Sequence, residues 1–212
     1  MLDKHLFYDW LGLNETIFKW VNSIHEETYD MVMILLSQLA DKHNLPYYLV
    51  ALVLWAFGNF IAKKISSTGG ANQYLIMWMG ALLVLVASFG VDKLVVDGIK
   101  EEFAYPRPYE ALGPQDVHVL EYGNSRENQS HRSFPSGHVS MITIIVIGLW
   151  PVLSITFRKA GLLLILLVAW SRMAMGMHFP ADVLAGFLIS LVITLIVRSI
   201  IYRILLACRI RC

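Results

Sequence analysis

Five stretches of this chain are too long and too apolar for an aqueous fold of this size: residues 46–62, 74–91, 139–157, 160–179 and 181–205. Crossing the hydrocarbon layer of a bilayer takes about 17–25 such residues. In lipid these runs must be helical, because each segment has to satisfy its own backbone hydrogen bonds. A soluble helical core built from five such runs would leave a chain of 212 residues with no polar surface. The composition agrees, at 57% hydrophobic and 16% charged residues, with the apolar residues in blocks rather than at amphipathic spacing. The expected fold is therefore all-α, a polytopic transmembrane helical bundle, with residues 1–212 forming one membrane-embedded domain. A formal net charge of +1 offers no global field for nucleic acid.

The basic residues orient the bundle. Lys63 and Lys64 follow the first run, Arg158 and Lys159 follow the third, and Arg198, Arg203, Arg209 and Arg211 crowd the end of the last. With alternating spans these groups share one side, expected to be the cytoplasm. The segment 92–138 and the turn 178–182 then share the opposite face. Residues 1–45 read as an amphipathic N-terminal region. Its apolar stretch YDMVMILLSQLA is about a dozen residues, short for a span, and suits an interfacial or re-entrant helix, with a sixth crossing as the alternative. The first thirty residues are charged and lack an apolar core, which predicts no cleavable signal peptide. Cys208 and Cys212 sit beside arginines at the C-terminus and read as free thiols rather than a disulfide framework.

Three polar groups fall on the outer face: KEEFAYPRP (100–108), PSGH (135–138), and the set Ser171, Arg172, His178 and Asp182. Arg172 lies in an otherwise apolar run, where a guanidinium is costly and marks a site or a buried ion pair. Arginine's planar fork suits phosphate oxygens, and lysine adds a point charge. Lys100 and Arg107 are equally readable as loop charges pairing with Glu101 or Glu102. In PSGH, Pro135 suits a first helical turn, so Ser136 and Gly137 would offer a hydroxyl and an open N–H at a helix start, an anion site. His138 beside them can exchange a proton near neutral pH, or is simply a polar boundary residue. Pro180 is expected to open the last helix, with Asp182 in its first turn and His178 just outside. A carboxylate on one imidazole nitrogen fixes the tautomer and raises the basicity of the other. The competing reading, a His–Asp metal pair, meets three nearby cations and no further carboxylate, so no metal and no cofactor is expected.

Together, K-x6-R-P, P-S-G-H and S-R-x5-H-x3-D resemble the three-part signature of the type 2 phosphatidic acid phosphatase superfamily. Lys100, Arg107, Pro108, Pro135, Ser136, Gly137, His138, Ser171, Arg172, His178 and Asp182 all match, in order and at the family's internal spacing. The likeness is strong over the catalytic motifs, residues 100–186, and elsewhere rests on hydropathy. It implies a membrane-embedded, metal-independent phosphatase. His178 would attack phosphorus and form a phosphohistidine, Asp182 would orient it, and His138 would protonate the leaving oxygen and then activate water. Lys100, Arg107, Ser136, Gly137 and Arg172 would hold the phosphoryl oxygens.

The expected substrate is a membrane lipid phosphate or diphosphate, met at the extracytoplasmic face of a bacterial inner membrane. The N-terminal stretch ETIFKWVNSIHEETYDMVM and the small size resemble short bacterial undecaprenyl-diphosphate phosphatases of this superfamily, which favours an isoprenoid diphosphate. Phosphatidylglycerophosphate, phosphatidic acid, diacylglycerol diphosphate and lipid A stay open as substrates. So do lipid phosphotransfer and, outside enzymes, a phospholipid-binding transporter. The soluble vanadate haloperoxidases share the motif set but not the five runs. The segment 109–134 is expected to shape head-group selection, and nothing in the chain speaks to oligomeric state.

Overall fold

The computed structural model describes residues 8–66, 70–113, 115–120 and 131–211, with side chains to 207. Residues 114 and 121–130 of the segment 109–134, expected to shape head-group selection, and both cysteine side chains therefore lie outside the described residues. Every regular element among the described residues is helical. The helices are α1 (Leu13–Asn22), α2 (Glu27–Leu39), α3 (Leu45–Ile65), α4 (Ala71–Phe103), α5 (Pro108–Ala111), α6 (Gly137–Gly148), α7 (Ile155–Ala174) and α8 (Pro180–Arg211).

At the centre stands α6, whose residues are apolar on every side and almost all buried. A helix without a polar face has to be surrounded. Helices α4, α7 and α8 provide that surround, and α3 leans on α4 from outside. The outward faces carry large exposed apolar side chains: Val50, Leu54 and Trp55 on α3, Leu83 and Val86 on α4, Leu163 and Leu166 on α7, and Leu188, Val192 and Ile196 on α8. A band of that extent is a lipid-facing surface.

The runs Lys42–Ile65, Ala71–Ala111 and Pro180–Ala207 are long and apolar enough to cross a membrane. The other two apolar stretches behave differently from the expectation. The run over 139–157 is not one helix: α6 has 12 residues, about 18 Å of rise, and ends at Gly148 before a turn and the start of α7 at Ile155. In place of a span over 160–179, α7 begins earlier and stops at Ala174, with Arg158, Lys159 and Arg172 along it. The break has a local cause. Pro151 cannot continue the α6 hydrogen-bond ladder, and the Ser154 side chain accepts from the Phe157 N–H to start α7.

The N-terminal stretch forms two helices, α1 and α2, and neither is as long as a span. Both pack on α7, and α1 also reaches α8. Trp170 on α7 donates to the Tyr29 hydroxyl on α2 at 2.8 Å. Phe18 and Val21 of α1 are fully buried in the same cluster as Val168, Met175 and Phe179. The N-terminal segment is thus part of the scaffold under the polar end of the bundle. At the opposite end, Lys63, Lys64, Gly70 and Tyr202 line one recess, and Arg158 donates to the Trp150 carbonyl at 3.0 Å.

Candidate active site

The polar end is assembled from four backbone pieces that have little reason to meet until α6 joins them. The first is the N-terminus of α6. Ser136 is its N-cap residue, in extended conformation, and Gly137 is the first helical residue. Pro135 thus precedes the helix instead of occupying its first turn, because Ser136 takes the capping position. The Ser136 N–H donates to the Asp182 carbonyl at 3.0 Å, which ties α6 to the start of α8. Gly186 permits that approach: a Cβ there would lie 2.6 Å from the Ser136 carbonyl oxygen. At Gly137, by contrast, an added Cβ would meet nothing described within 4 Å, so the helix start faces open room. The Ser136 hydroxyl is buried and has no hydrogen-bond partner among the described residues.

The second piece is the turn from α7 to α8. Its His178 and Met177 N–H groups both donate to the Arg172 carbonyl, at 3.3 and 3.1 Å. Gly176 takes φ +72°, and a Cβ there would lie 2.6 Å from the His118 carbonyl, so that position requires glycine on two counts. Pro180 opens α8 and Asp182 sits in its first turn, as the proline and the acidic residue lead one to expect.

Asp182 is the fixed point of the site. Its carboxylate accepts from the Ser133 hydroxyl at 2.5 Å, the Phe179 N–H at 2.8 Å and the Tyr8 hydroxyl at 2.9 Å. The carboxylate is completely buried, and His178 is 2% exposed. His178 Nδ1 lies 3.4 Å from Asp182 Oδ2, facing it but longer than a good hydrogen bond. Catalytic hydrogen bonds are often long in a site without substrate and tighten when it arrives. Burial first, and then Arg107, Arg172, Lys100 and His138, hold the His178 imidazole well below its ordinary pKa. Tyr8 moves the other way: burial and the adjacent Asp182 raise its phenol, which stays protonated and donates.

The third and fourth pieces bring the cations. Arg107 precedes α5, is 4% exposed and reaches toward the Met177 carbonyl at 3.5 Å. Arg172, 3% exposed, donates to the Ser37 hydroxyl of α2. Lys100 donates to the Arg132 carbonyl at 3.1 Å, next to Ser133. The loop-charge reading of Lys100 and Arg107 gives way here. It is Arg132 that pairs with Asp97 and Glu101, at 3.3 and 3.5 Å. His138 lies in the combined field of Arg172, Arg107 and Lys100, and its Nε2 is buried with no partner among the described residues.

The eight motif residues expected to bind or react thus converge at one end of the bundle. Five supporting residues outside the motifs join them: Tyr8, Ser133, Ser37, Asn14 and Asn22. Asn22 spans three groups, donating to the carbonyls of His118 and Ala174 and accepting from the His118 N–H. Asn14 accepts from the Ala181 N–H at 2.9 Å. The sequence signal for the asparagines was two amides in a short amphipathic helix, and Ser133 lies just before PSGH. Tyr8 and Ser37 carry no local signal. Among the described residues, no group of three or more His, Cys, Asp or Glu comes together as a metal site.

Chemically, the arrangement offers a neutral imidazole backed by an anchored carboxylate, a second imidazole, three cations and an open helix start. Such a set can hold and attack a phosphoryl group. The sequence matches the PAP2 superfamily over residues 78–205. It is 27% identical over 186 residues to undecaprenyl-diphosphatase BcrC of Bacillus subtilis, covering 85% of this chain and 80% of that one. It is 31% identical over 141 residues to phosphatidylglycerophosphatase B of the same organism, covering 61% and 62% of the two chains. The fold is shared with the crystal structure of Aquifex aeolicus LpxE, with a TM-score of 0.69 at 22% identity over 88% of this chain and 95% of that one.

Proposed function

The chain belongs to the PAP2 superfamily, and from that membership we propose that it hydrolyses the terminal phosphate of an isoprenoid diphosphate such as undecaprenyl diphosphate through a phosphohistidine on His178. The observation that carries this reading is the His178–Asp182 pair, buried within the field of Arg107 and Arg172 with the carboxylate held by three donors. Asp182 faces Nδ1, so Nε2 keeps the lone pair. That nitrogen attacks phosphorus as the bond to the bridging oxygen breaks, and His138 delivers its proton to the departing lipid phosphate. His138 then takes a proton from water, whose oxygen attacks phosphorus and breaks the P–N bond. Inorganic phosphate leaves and His178 is regenerated.

Lys100, Arg107, Arg172, the Ser136 hydroxyl and the N–H groups opening α6 bind the three equatorial oxygens. Being already in position, they stabilise the transition state without reorganisation. Tyr8, which donates to Asp182, packs edge to face on Tyr105 and Phe134, and Tyr105 in turn packs edge to face on Phe103. No step calls on a metal. The lysines and arginines at the far end favour a cytoplasmic placement there, which puts the site on the extracytoplasmic face of a bacterial inner membrane with the tail still in the bilayer. On this reading the chain is one catalytic domain with five spans, and α7, despite its charges, crosses beside α6.

The relatives keep a second substrate class in view, since one of them is a phosphatidylglycerophosphatase. The test is a panel of purified lipid phosphates and diphosphates assayed for released phosphate in detergent, with and without excess chelator. The reading requires isoprenoid diphosphate to be turned over best, with rates unchanged by chelator and abolished in His178→Ala. Transfer of label to a lipid acceptor without free phosphate would mark a phosphotransferase instead. Normal phosphate release by His178→Ala contradicts the mechanism.

A further inference from the structure

Two residues of the site are each followed in the chain by a valine that lines something else. Val139 follows His138 and Val183 follows Asp182, and both line a trough of about 430 Å³ whose other walls are Leu162, Ile165, Leu166, Ala169, Leu184 and Phe187. Its floor is α6, and its two sides are α7 and α8, which lean on α6 far more than on each other. No charged residue and no polar side chain lines it. Its upper end at Ala169 is one turn below Arg172. Its lower end at Leu162 is ten residues below that arginine, about 15 Å of helix rise, or roughly half the hydrocarbon thickness. Leu162, Leu166 and Leu184 on its rim are exposed on the lipid-facing surface.

Resting on the phosphatase reading above, we propose that this trough seats the head-proximal part of the substrate's single hydrocarbon chain, entering sideways from the outer leaflet between α7 and α8. The occupant follows from adjacency to the site, since Val139 and Val183 of the trough are the chain neighbours of His138 and Asp182. A phosphoryl group held between His138 and His178 has its leaving oxygen on a lipid phosphate whose chain must pass into lipid, and the trough starts at the residues beside both His138 and Asp182. An apolar trough gains by being filled with hydrocarbon that matches its walls, since a gap forfeits their dispersion contacts. One trough accepts one chain, which suits a prenyl tail better than a two-chain glycerolipid. Leu166, Ala169, Leu184 and Phe187 then become specificity-determining residues for tail length and branching.

The test separates tail from head. Ala169→Trp and, as a second rim variant, Leu184→Trp are assayed for phosphate release from a long-chain prenyl diphosphate in detergent and from isopentenyl diphosphate, which is too short to use the trough. KM for the long-chain substrate should rise about tenfold while kcat/KM for the short one is unchanged. Equal losses on both, or no change on the long chain in either variant, overturn the proposal. In parallel, a prenyl phosphate carrying a diazirine in its first isoprene units is photolysed in the His178→Ala protein, where turnover does not matter. Labelled peptides covering 162–169 and 183–187 support the trough, and labelling confined to α3 or the outer face of α4 contradicts it. Failure of the wild type to release phosphate from any lipid would count against the phosphatase reading, and the cross-link map would still decide where the chain lies.

Discussion

Among the described residues two aspartates are buried, Asp92 and Asp182, and they differ in ways that burial alone does not reveal. Asp182 is fully buried at the polar end, and Asp92 is 5% exposed between α4 and α8. Each accepts a hydrogen bond of 2.5 Å from a serine, Ser133 for Asp182 and Ser190 for Asp92. There the likeness ends. Asp182 takes two further donors, Phe179 N–H and Tyr8 hydroxyl, and faces an imidazole. Asp92 has the serine, with the buried Ser88 hydroxyl one turn away on α4 lacking a described partner. An ionisable residue inside a membrane helix is a functional candidate by default. The comparison sharpens that rule: convergent donors and a partner with chemistry to perform identify a site, whereas a single cross-helix bond identifies a clamp. The clamp has its use. Asp92 lies two turns below Lys100 on α4 and Ser190 two turns below Asp182 on α8, so the bond sets the register of one motif against the other.

The largest expected difference is in turnover. Asp182→Asn should lower kcat by about 10³–10⁴-fold, because an amide no longer holds the productive imidazole tautomer. Asp92→Asn should leave kcat within about threefold in the same phosphate-release assay. Similar losses for both would erase the distinction. Next come the donors that anchor Asp182. Tyr8→Phe and Ser133→Ala should each cost about 10-fold or more in kcat with little change in KM, as outer-shell partners of catalytic groups commonly do. The pH profile follows from the lowered His178 pKa. A group with a lowered pKa stays neutral to lower pH, so the acid limb of kcat/KM should lie well below pH 6.5, the ordinary histidine value. An acid limb at or above that value would mean the cations do not act on His178 as described. The smallest effect is structural. Ser190→Ala should lower unfolding free energy in detergent by about 1–3 kcal/mol, by leaving a buried carboxylate without its donor, with activity nearly intact.

The site was readable from the chain because its reacting groups sit in short, densely specified motifs, and because charge placement put those motifs on one face. Lys100, Arg107, His138, Arg172, His178 and Asp182 needed no coordinates to be associated. Tyr8 and Ser37 did. Tyr8 is 174 residues from the carboxylate it holds and Ser37 is 135 from Arg172, and neither distance leaves a local pattern. The long helices α3, α4 and α8 were legible from hydropathy, since lipid rewards an unbroken apolar run. The run over 139–157 misled for the complementary reason. Hydropathy reports how dry a segment is, and α6 is dry because protein surrounds it, so nothing in its composition fixed where it stops. The role of α1 and α2 was hidden likewise. The buried asparagines of α1 bond to backbone far away, and an amphipathic short helix reads the same whether its apolar face meets lipid or α7.

The central claim is that His178 carries the phosphoryl group. The most direct measurement is a rapid alkaline quench of the wild-type protein during turnover of lipid diphosphate labelled in its terminal phosphate, followed by peptide mapping. Base-stable, acid-labile label on the peptide containing His178, forming and decaying at rates compatible with kcat, is the predicted result. Turnover at the normal rate with label on another residue, or in a His178→Ala protein, would contradict it.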